Sequence, residues 1–106
     1  MPLAKEKSEP VPKGTRPLNR KEAEDLAREV PGWSLIDGTL EEDFQFKDFG
    51  ETMKFVNRVA QIAQEEDHHP DIEISYNKVH LVLSTHSIGG LSRNDFIVAA
   101  KIGRLL

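Results

Sequence analysis

The sequence predicts an α+β fold, in which an antiparallel four-stranded sheet carries three helices on one face. Apolar residues recur at helical spacing in three segments of the chain. Between these segments lie two pairs of short runs that alternate apolar and polar residues, and each pair is joined by a tight-turn dipeptide. The predicted order is therefore α-β-β-α-β-β-α, because hairpins give antiparallel strands and the helices must bury their apolar faces against them.

Composition narrows the possible functions. A chain of 106 residues fits one domain, and the lack of cysteine excludes disulfides and thiolate metal sites. The net charge of −4 argues against binding to nucleic-acid phosphates as the main task. No apolar run approaches the ~20 residues that span a bilayer, and the N-terminus lacks the apolar region of a signal peptide. We therefore expect a cytoplasmic protein with neither a nucleic-acid nor a membrane partner.

The N-terminal segment differs in composition from the rest of the chain. Residues 1–17 hold four of the six prolines, more basic than acidic side chains, and few large apolar residues. Such a segment buries too little apolar surface to offset the entropy of ordering. The sequence therefore predicts a flexible tail over residues 1–17 and a single folded domain over residues 18–106.

Local signals place the first helix and hairpin. Asn19 and Glu22 form a capping-box pair at the start of the first helix, which ends at Pro31-Gly32. Asp37-Gly38 lies between two apolar runs and predicts a type I′ turn, because both central residues of that turn need positive φ. In the second strand, alternation puts one set of residues on the core side: Leu40, Phe44 and Phe46.

The second half repeats this pattern. Asp48 caps the second helix, whose predicted buried stripe is Val56, Val59, Ala60 and Ala63. Pro70 ends this helix, and Asn77-Lys78 is the predicted second turn, which would place Tyr76 opposite Val79 and His86 level with His69. Ser92 begins the last helix with Asp95 at its third position.

All four histidines lie between residues 68 and 86. The hairpin brings His86, at the end of its strand, toward His68 and His69, and it leaves His80 near the other end. Capping of a helix end accounts for His68 or His69, and a half-exposed strand position accounts for His80. A metal site is disfavoured, because adjacent side chains of an extended chain point apart. Imidazoles that exchange protons near neutral pH remain the alternative.

The spacing of these residues resembles the pterin-4a-carbinolamine dehydratase family. The matching segments are Asp67-His68-His69-Pro70, Tyr76-Asn77-Lys78-Val79-His80, Ser84-Thr85-His86, and Gly90-Leu91-Ser92 followed by Asp95. Gly32-Trp33 and Phe46-Lys47-Asp48-Phe49 are also similar, so the resemblance covers residues 18–106. The family's fold agrees with the order derived above.

The resemblance implies a hydro-lyase that recycles the pterin cofactor of aromatic amino acid hydroxylases. Its reaction would be the dehydration of 4a-hydroxytetrahydrobiopterin to quinonoid dihydrobiopterin plus water. Hydroxide is a poor leaving group, so an acid must protonate it while a base removes the N5 proton. Histidines suit both tasks, and no cofactor or metal is implied.

The resemblance also implies a set of site residues. His68 and His86 would transfer protons, and His69 would mainly hold the pterin. Asp95 would support the site by orienting His86, or would only cap its helix. The remaining residues expected to line the pocket are Asp67, Ser84, Thr85 and Ser87. One position departs from the family, which commonly has an acidic residue where this chain has Gln64; Glu65 and Glu66 are the candidates to replace it.

Two further expectations concern partners. The sheet's uncovered face and edges, together with the resemblance, imply a homotetramer built as a dimer of dimers. Some family members bind a homeodomain transcription factor and stabilise its dimer, so a binding module is an alternative function. A dehydratase-like protein of another pterin pathway is a further one.

Overall fold

A computed structural model of the chain describes residues 2–106 and confirms the α+β architecture. The helices are α1 (Arg20–Ala27), α2 (Phe49–Glu66) and α3 (Arg93–Gly103), and the strands are β1 (Ser34–Ile36), β2 (Thr39–Gln45), β3 (Asp71–Ser75) and β4 (Lys78–Leu83). Two short 3₁₀ turns occupy Leu3–Lys5 and His86–Ile88. No helix in the part of the chain that the structure describes is long and apolar enough to cross a membrane.

The four strands form one antiparallel sheet in the order β1-β2-β4-β3. Asp37 and Gly38 have φ angles of 38° and 83°, which confirms the predicted turn between β1 and β2. The second predicted turn is wrong. Ser75 pairs with Lys78, so Tyr76 and Asn77 form the turn, and Ile74 rather than Tyr76 lies opposite Val79.

Tyr76 leaves the strand for a physical reason. Its φ of 53° is left-handed, which permits a two-residue turn, and its ring stacks on Phe49 with centroids 6.3 Å apart. The actual register differs from the predicted one by two residues. Because side chains alternate with a period of two, such a shift leaves every residue on its predicted face.

The core lies between the helices and one face of the sheet. Leu40, Leu81 and Leu83 are fully buried on that face, where the alternation in the second strand predicts Leu40. In α2 the prediction was wrong for Ala60, which is exposed, whereas Phe55 is buried and its ring packs 4.7 Å from that of Phe44. Ala60 lies at the edge of the buried face of α2, and the larger Phe55 contributes to that face instead. Each fully buried large apolar side chain contributes about 1.5–3 kcal/mol.

The other face of the sheet is covered by none of the three helices described above and is mostly polar. Glu41 and Asp43 of β2 lie there, beside His80 of β4 and Glu73 of β3. Most apolar side chains therefore lie toward the helices and most charged ones away from them. Glu42 is an exception, because it is half-buried on the helix side, opposite Leu81.

The N-terminal segment, for which the sequence predicts a flexible tail, makes defined contacts with the domain. Leu3 is only 2% exposed and belongs to the core cluster, and its 3₁₀ turn packs against α3. Glu6 pairs with Arg93 at the start of that helix. Such contacts are not those of a free tail, and no apolar periodicity in residues 1–17 indicates them.

Candidate functional site

The end of α2 positions the first two histidines. Asp67 takes a left-handed conformation (φ 50°, ψ 44°), and the backbone N–H of His68 donates to Ala63 O at 3.1 Å. This arrangement closes the helix by a backbone turn that needs one left-handed residue, which aspartate tolerates better than most residues. The chain then turns sharply into Pro70 and β3. As a result His68 is directed inward, with its side chain 12% exposed, whereas His69 lies on the surface.

A buried carboxylate holds His68. The His68 Nε2 atom lies 2.5 Å from Oδ1 of Asp95, whose side chain is fully buried at the start of α3. The second oxygen, Oδ2, accepts from the Thr85 hydroxyl at 2.8 Å and from the Ser92 backbone N–H at 2.9 Å. These three contacts replace the water that the buried carboxylate has lost.

The contacts of Asp95 fix the tautomer of His68. A carboxylate accepts hydrogen bonds and does not donate them, so His68 must carry its proton on Nε2. In the neutral ring, Nδ1 then has the lone pair and can accept a proton. The sequence left open whether Asp95 caps its helix or orients His86. The carboxylate caps the helix through Ser92, and the histidine that it orients is His68.

His69 has a different partner. Its Nε2 atom donates to the side-chain oxygen of Gln64 at 2.7 Å, across the last turn of α2. Gln64, the residue that departs from the family pattern, therefore itself contacts a site histidine. The two acidic candidates to replace it are engaged elsewhere, because Glu65 accepts from Gln61 and Glu66 accepts from Lys101.

The loop after β4 carries the third site histidine. The Thr85 backbone N–H donates to Gly90 O at 2.8 Å, which closes a loop around the 3₁₀ turn His86–Ile88. Thr85 is buried toward Asp95, whereas His86 and Ser87 are exposed. The prediction that His86 lies level with His69 across the hairpin is wrong, because β4 ends at Leu83 and the sheet register does not extend to His86.

A cavity of about 360 Å³ opens beside His68. The end of α2, the loop after β4, the start of α3 and the N-terminal segment enclose it. This volume is within the range of small-molecule sites. Four of the expected site residues line it: Asp67, His68, Thr85 and Ser87.

The other expected residues lie outside this lining. Asp95 lies behind His68 and Thr85, and the Ser84 hydroxyl instead donates to Gly38 O at 3.2 Å, in the turn between β1 and β2. His69 and His86 are exposed next to lining residues but are not among them.

Some lining residues had no signal in the sequence. Asn94 and the N-terminal residues 7–11 form part of the cavity wall. Their side chains are polar or small and follow no helical or strand period. Only the folded chain brings them beside His68.

His80 belongs to a separate polar cluster on the uncovered sheet face. Its Nδ1 lies 2.6 Å from Asp43 and its Nε2 lies 2.9 Å from Glu41. The hydrogen bond to Asp43, with that to Glu41, raises the pKa of His80 against the opposing effect of burial. The sheet separates this face from the helices, so His80 takes no part in the cavity.

Residues 2–106 contain no group of three or more histidine, aspartate or glutamate side chains arranged to hold a metal ion. His68 instead contacts one carboxylate and His69 an amide, whereas His80 contacts two carboxylates on the other face of the sheet. Imidazoles can accept and donate protons near neutral pH.

Comparisons with known proteins show the family of the chain. The model of the family described as pterin 4 alpha carbinolamine dehydratase matches residues 16–105. A Nitrosomonas eutropha protein, named as a candidate pterin-4-alpha-carbinolamine dehydratase, is 47% identical over 98% of this chain and 93% of its own length. A Rubrobacter xylanophilus protein with the same name is 42% identical over 97% of each chain.

A solved structure shows the same fold. The Brucella melitensis protein described as a transcriptional coactivator/pterin dehydratase superposes with a TM-score of 0.81 at 32% identity, covering 85% of this chain and 98% of its own. The family model spans most of the chain, and the curated relatives match it over nearly their whole length. The chain therefore belongs to the pterin-4-alpha-carbinolamine dehydratase family.

Proposed function

We propose that this protein catalyses the dehydration of 4a-hydroxytetrahydrobiopterin to quinonoid dihydrobiopterin and water, and so recycles the pterin cofactor of aromatic amino acid hydroxylases. The observation that carries the proposal is the pairing of His68 with the buried Asp95 at the wall of a cavity of suitable size, in a chain of this family. The proposed reaction uses histidine side chains and needs no cofactor.

The geometry favours His68 as the base. With Nε2–H held by Asp95, the Nδ1 lone pair can accept the N5 proton of the pterin. The imidazolium that forms is stabilised by a carboxylate 2.5 Å away in a site shielded from water, where such charge pairing is stronger than in solution.

The departing 4a-hydroxyl needs a proton from a second group, which acts as the acid. His86, on the exposed loop beside the cavity residues Thr85 and Ser87, is the proposed acid. As the N5 proton leaves, the electron pair of that bond forms the double bond between N5 and C4a. The C4a–oxygen bond breaks, and the protonated hydroxyl leaves as water.

The other proposed site residues bind the substrate. His69, oriented by Gln64, would contact the pterin through its remaining ring nitrogen. The lining side chains of Asp67 and Ser87 offer an acceptor and a hydroxyl to the polar edges of the pterin, whereas the Thr85 hydroxyl, which donates to Asp95, would act by holding that carboxylate. Ser84 would contribute only through its backbone, since its hydroxyl is bound to Gly38.

We further propose a homotetramer built as a dimer of dimers. β1 and β3 are the edge strands of the sheet and have one unpaired side each. Large apolar side chains are exposed on these edge strands and in the turn after β3: Ile36 of β1 at 48%, Ile74 of β3 at 41% and Tyr76 at 64%. Burial of these residues between subunits would remove them from water.

A transcription-factor binding module is the second candidate. It is favoured by the description of the Brucella melitensis protein as both a coactivator and a dehydratase. A module that only binds a protein has no need for His68 paired with Asp95 beside a cavity, so this pairing favours the enzyme.

The test is a dehydratase assay with 4a-hydroxytetrahydrobiopterin generated by a hydroxylase in the same cuvette. The protein should accelerate formation of the quinonoid product, and His68→Ala should remove most of that acceleration. His80→Ala is the matched control, since it deletes a carboxylate-paired imidazole outside the cavity. Equal rates with and without the wild-type protein would refute the dehydratase, and a 4a-hydroxypterin with another side chain would then test a different pterin pathway.

A further inference from the structure

We infer that residues 6–11, named here the N-terminal strap, form a wall of the substrate cavity and position the pterin against His68. The inference rests on the proposed function, to which it adds a set of positioning residues from outside the helices and sheet. Residues 7–11 line the same cavity as Asp67 and His68. Without them the cavity would lose one of its walls.

Two consecutive residues of α3 hold the strap. Arg93 donates through Nε and Nη2 to the two carboxylate oxygens of Glu6, each at 2.7 Å. Asn94 pairs with the backbone of Glu9 in both directions, accepting from its N–H at 3.0 Å and donating to its carbonyl at 2.7 Å. Fork-like ion pairs and two-way amide pairing both fix orientation as well as position.

A third anchor comes from α2. Glu66 is only 6% exposed, and its Oε1 accepts from the Ser8 backbone N–H at 2.8 Å. The Ser8 hydroxyl donates to the Glu66 carbonyl, and Lys101 donates to Oε2 at 2.6 Å. Burial alone would raise the pKa of Glu66, but the hydrogen bonds from Lys101 and Ser8 outweigh it and hold the pKa below its ordinary value. The Glu66 carboxylate therefore stays charged and can accept hydrogen bonds from the strap and from Lys101.

The anchors are continuous with the proposed catalytic pair. Arg93 and Asn94 hold the strap, and the next residue, Asp95, holds His68. One turn of helix therefore sets the distance between the wall of the cavity and the base. This contiguity makes the strap a positioning element and not only a covering for the core.

The expected signature is a change in binding rather than in chemistry. The strap anchors place no imidazole against the cavity, so they do not transfer protons in the proposed reaction. A group that holds the substrate equally in the ground and transition states changes KM and leaves kcat nearly unchanged. Loss of the anchors should raise KM roughly tenfold, which corresponds to the binding free energy of about one hydrogen bond.

The experiment uses the full chain with Arg93→Gln and Asn94→Ala combined, which leaves the core residue Leu3 unchanged. The matched control is Arg16→Gln, which breaks another arginine–glutamate pair, between Arg16 and Glu22, away from the cavity. Hydrogen exchange over residues 6–11, KM and kcat are measured for each protein. Affinity for 7,8-dihydrobiopterin, a stable pterin, is measured by fluorescence and needs no turnover.

We expect faster exchange in the strap of the double variant, KM and the dihydrobiopterin Kd each raised roughly tenfold, kcat within about twofold, and no change in Arg16→Gln. Faster strap exchange with unchanged KM and Kd would overturn the strap as a wall. Unchanged exchange would overturn Arg93 and Asn94 as its anchors. A wild-type protein that binds dihydrobiopterin in a strap-dependent way but does not dehydrate the substrate would refute the proposed function and leave the strap standing.

Discussion

Asp95→Asn is the sharpest test of the proposed base. The amide has the shape of the carboxylate, but one of its two polar atoms becomes a donor. Oδ2 of Asp95 accepts from the Thr85 hydroxyl and from the Ser92 backbone N–H. The backbone donor cannot reverse its polarity, so the amide oxygen must stay on that side and the NH₂ group must face His68.

The change then inverts the tautomer of His68. A ring nitrogen that faces an NH₂ group must accept, so Nε2 would lose its proton and Nδ1 would carry it. The lone pair proposed to accept the N5 proton would no longer be on Nδ1, and no negative charge would stabilise the imidazolium. We expect kcat to fall by about 10²–10⁴-fold, the usual contribution of general acid–base catalysis. The free energy of unfolding should fall by about 1–3 kcal/mol, because a charged hydrogen bond in a buried site is weakened.

The assay compares kcat and urea unfolding for the wild-type protein, Asp95→Asn and Asp43→Asn. Asp43→Asn is the matched control, since it makes the same change at a carboxylate that contacts His80, 2.6 Å from its Nδ1, on the other face of the sheet. Its kcat should equal that of the wild type. If Asp95→Asn remained folded and kept kcat within threefold, the assignment of His68 Nδ1 as the base would be refuted.

The other predictions concern the remaining histidines and the assembly. In steady-state kinetics, His68→Ala and His86→Ala should each mainly lower kcat, by up to about 10²–10⁴-fold, and His69→Ala should mainly raise KM. Loss of turnover in His80→Ala with turnover retained in His86→Ala would contradict these roles. Because the pKa of His80 is raised, its contribution to stability is complete below pH 6.5, its ordinary pKa, and is lost as the pH rises through the raised value. His80→Gln should therefore reduce the free energy of unfolding by on the order of 1 kcal/mol at pH 5.5 and by less at pH 9, and an equal loss at both pH values would count against the ion pairs with Asp43 and Glu41. EDTA should leave the dehydration rate unchanged, and a loss restored by zinc would revive the metal site. Light scattering should give the mass of a tetramer at micromolar concentration, and a stable monomer would exclude the proposed assembly.

Much of the fold could be predicted from local signals. Asn19 with Glu22 and Asp37 with Gly38 act between near neighbours in the chain, so their residue types alone indicate a helix start and a turn. Alternation placed the strand faces correctly even though the second turn was misplaced. The face on which a strand residue lies depends only on whether its position is odd or even. The register depends on which residues form the turn, and the stacking of Tyr76 on Phe49 helps to place Tyr76 in the turn.

For the candidate site, too, local residue types could be predicted from the sequence but long-range contacts could not. The cluster Asp67-His68-His69 and the loop from Ser84 to Ser87 could be singled out from residue types and from the family resemblance. Their partners could not, because His68 and Asp95 lie 27 positions apart and their contact requires α3 to pack across the end of α2. The same holds for Glu9 and Asn94, which are 85 positions apart.

By itself the sequence determined the element order, the division of the sheet into an apolar and a polar face, and the residues able to exchange protons. These properties follow from side-chain chemistry and from periods of two and 3.6 residues, which act over a few positions. Only the tertiary structure decided that Asp95 orients His68 rather than His86, that His69 meets Gln64, and that residues 7–11 wall the cavity. Each of these three contacts depends on how segments distant in the chain pack together. Several residues could make the same hydrogen bond, and only the packing of the folded core determines which of them is close enough.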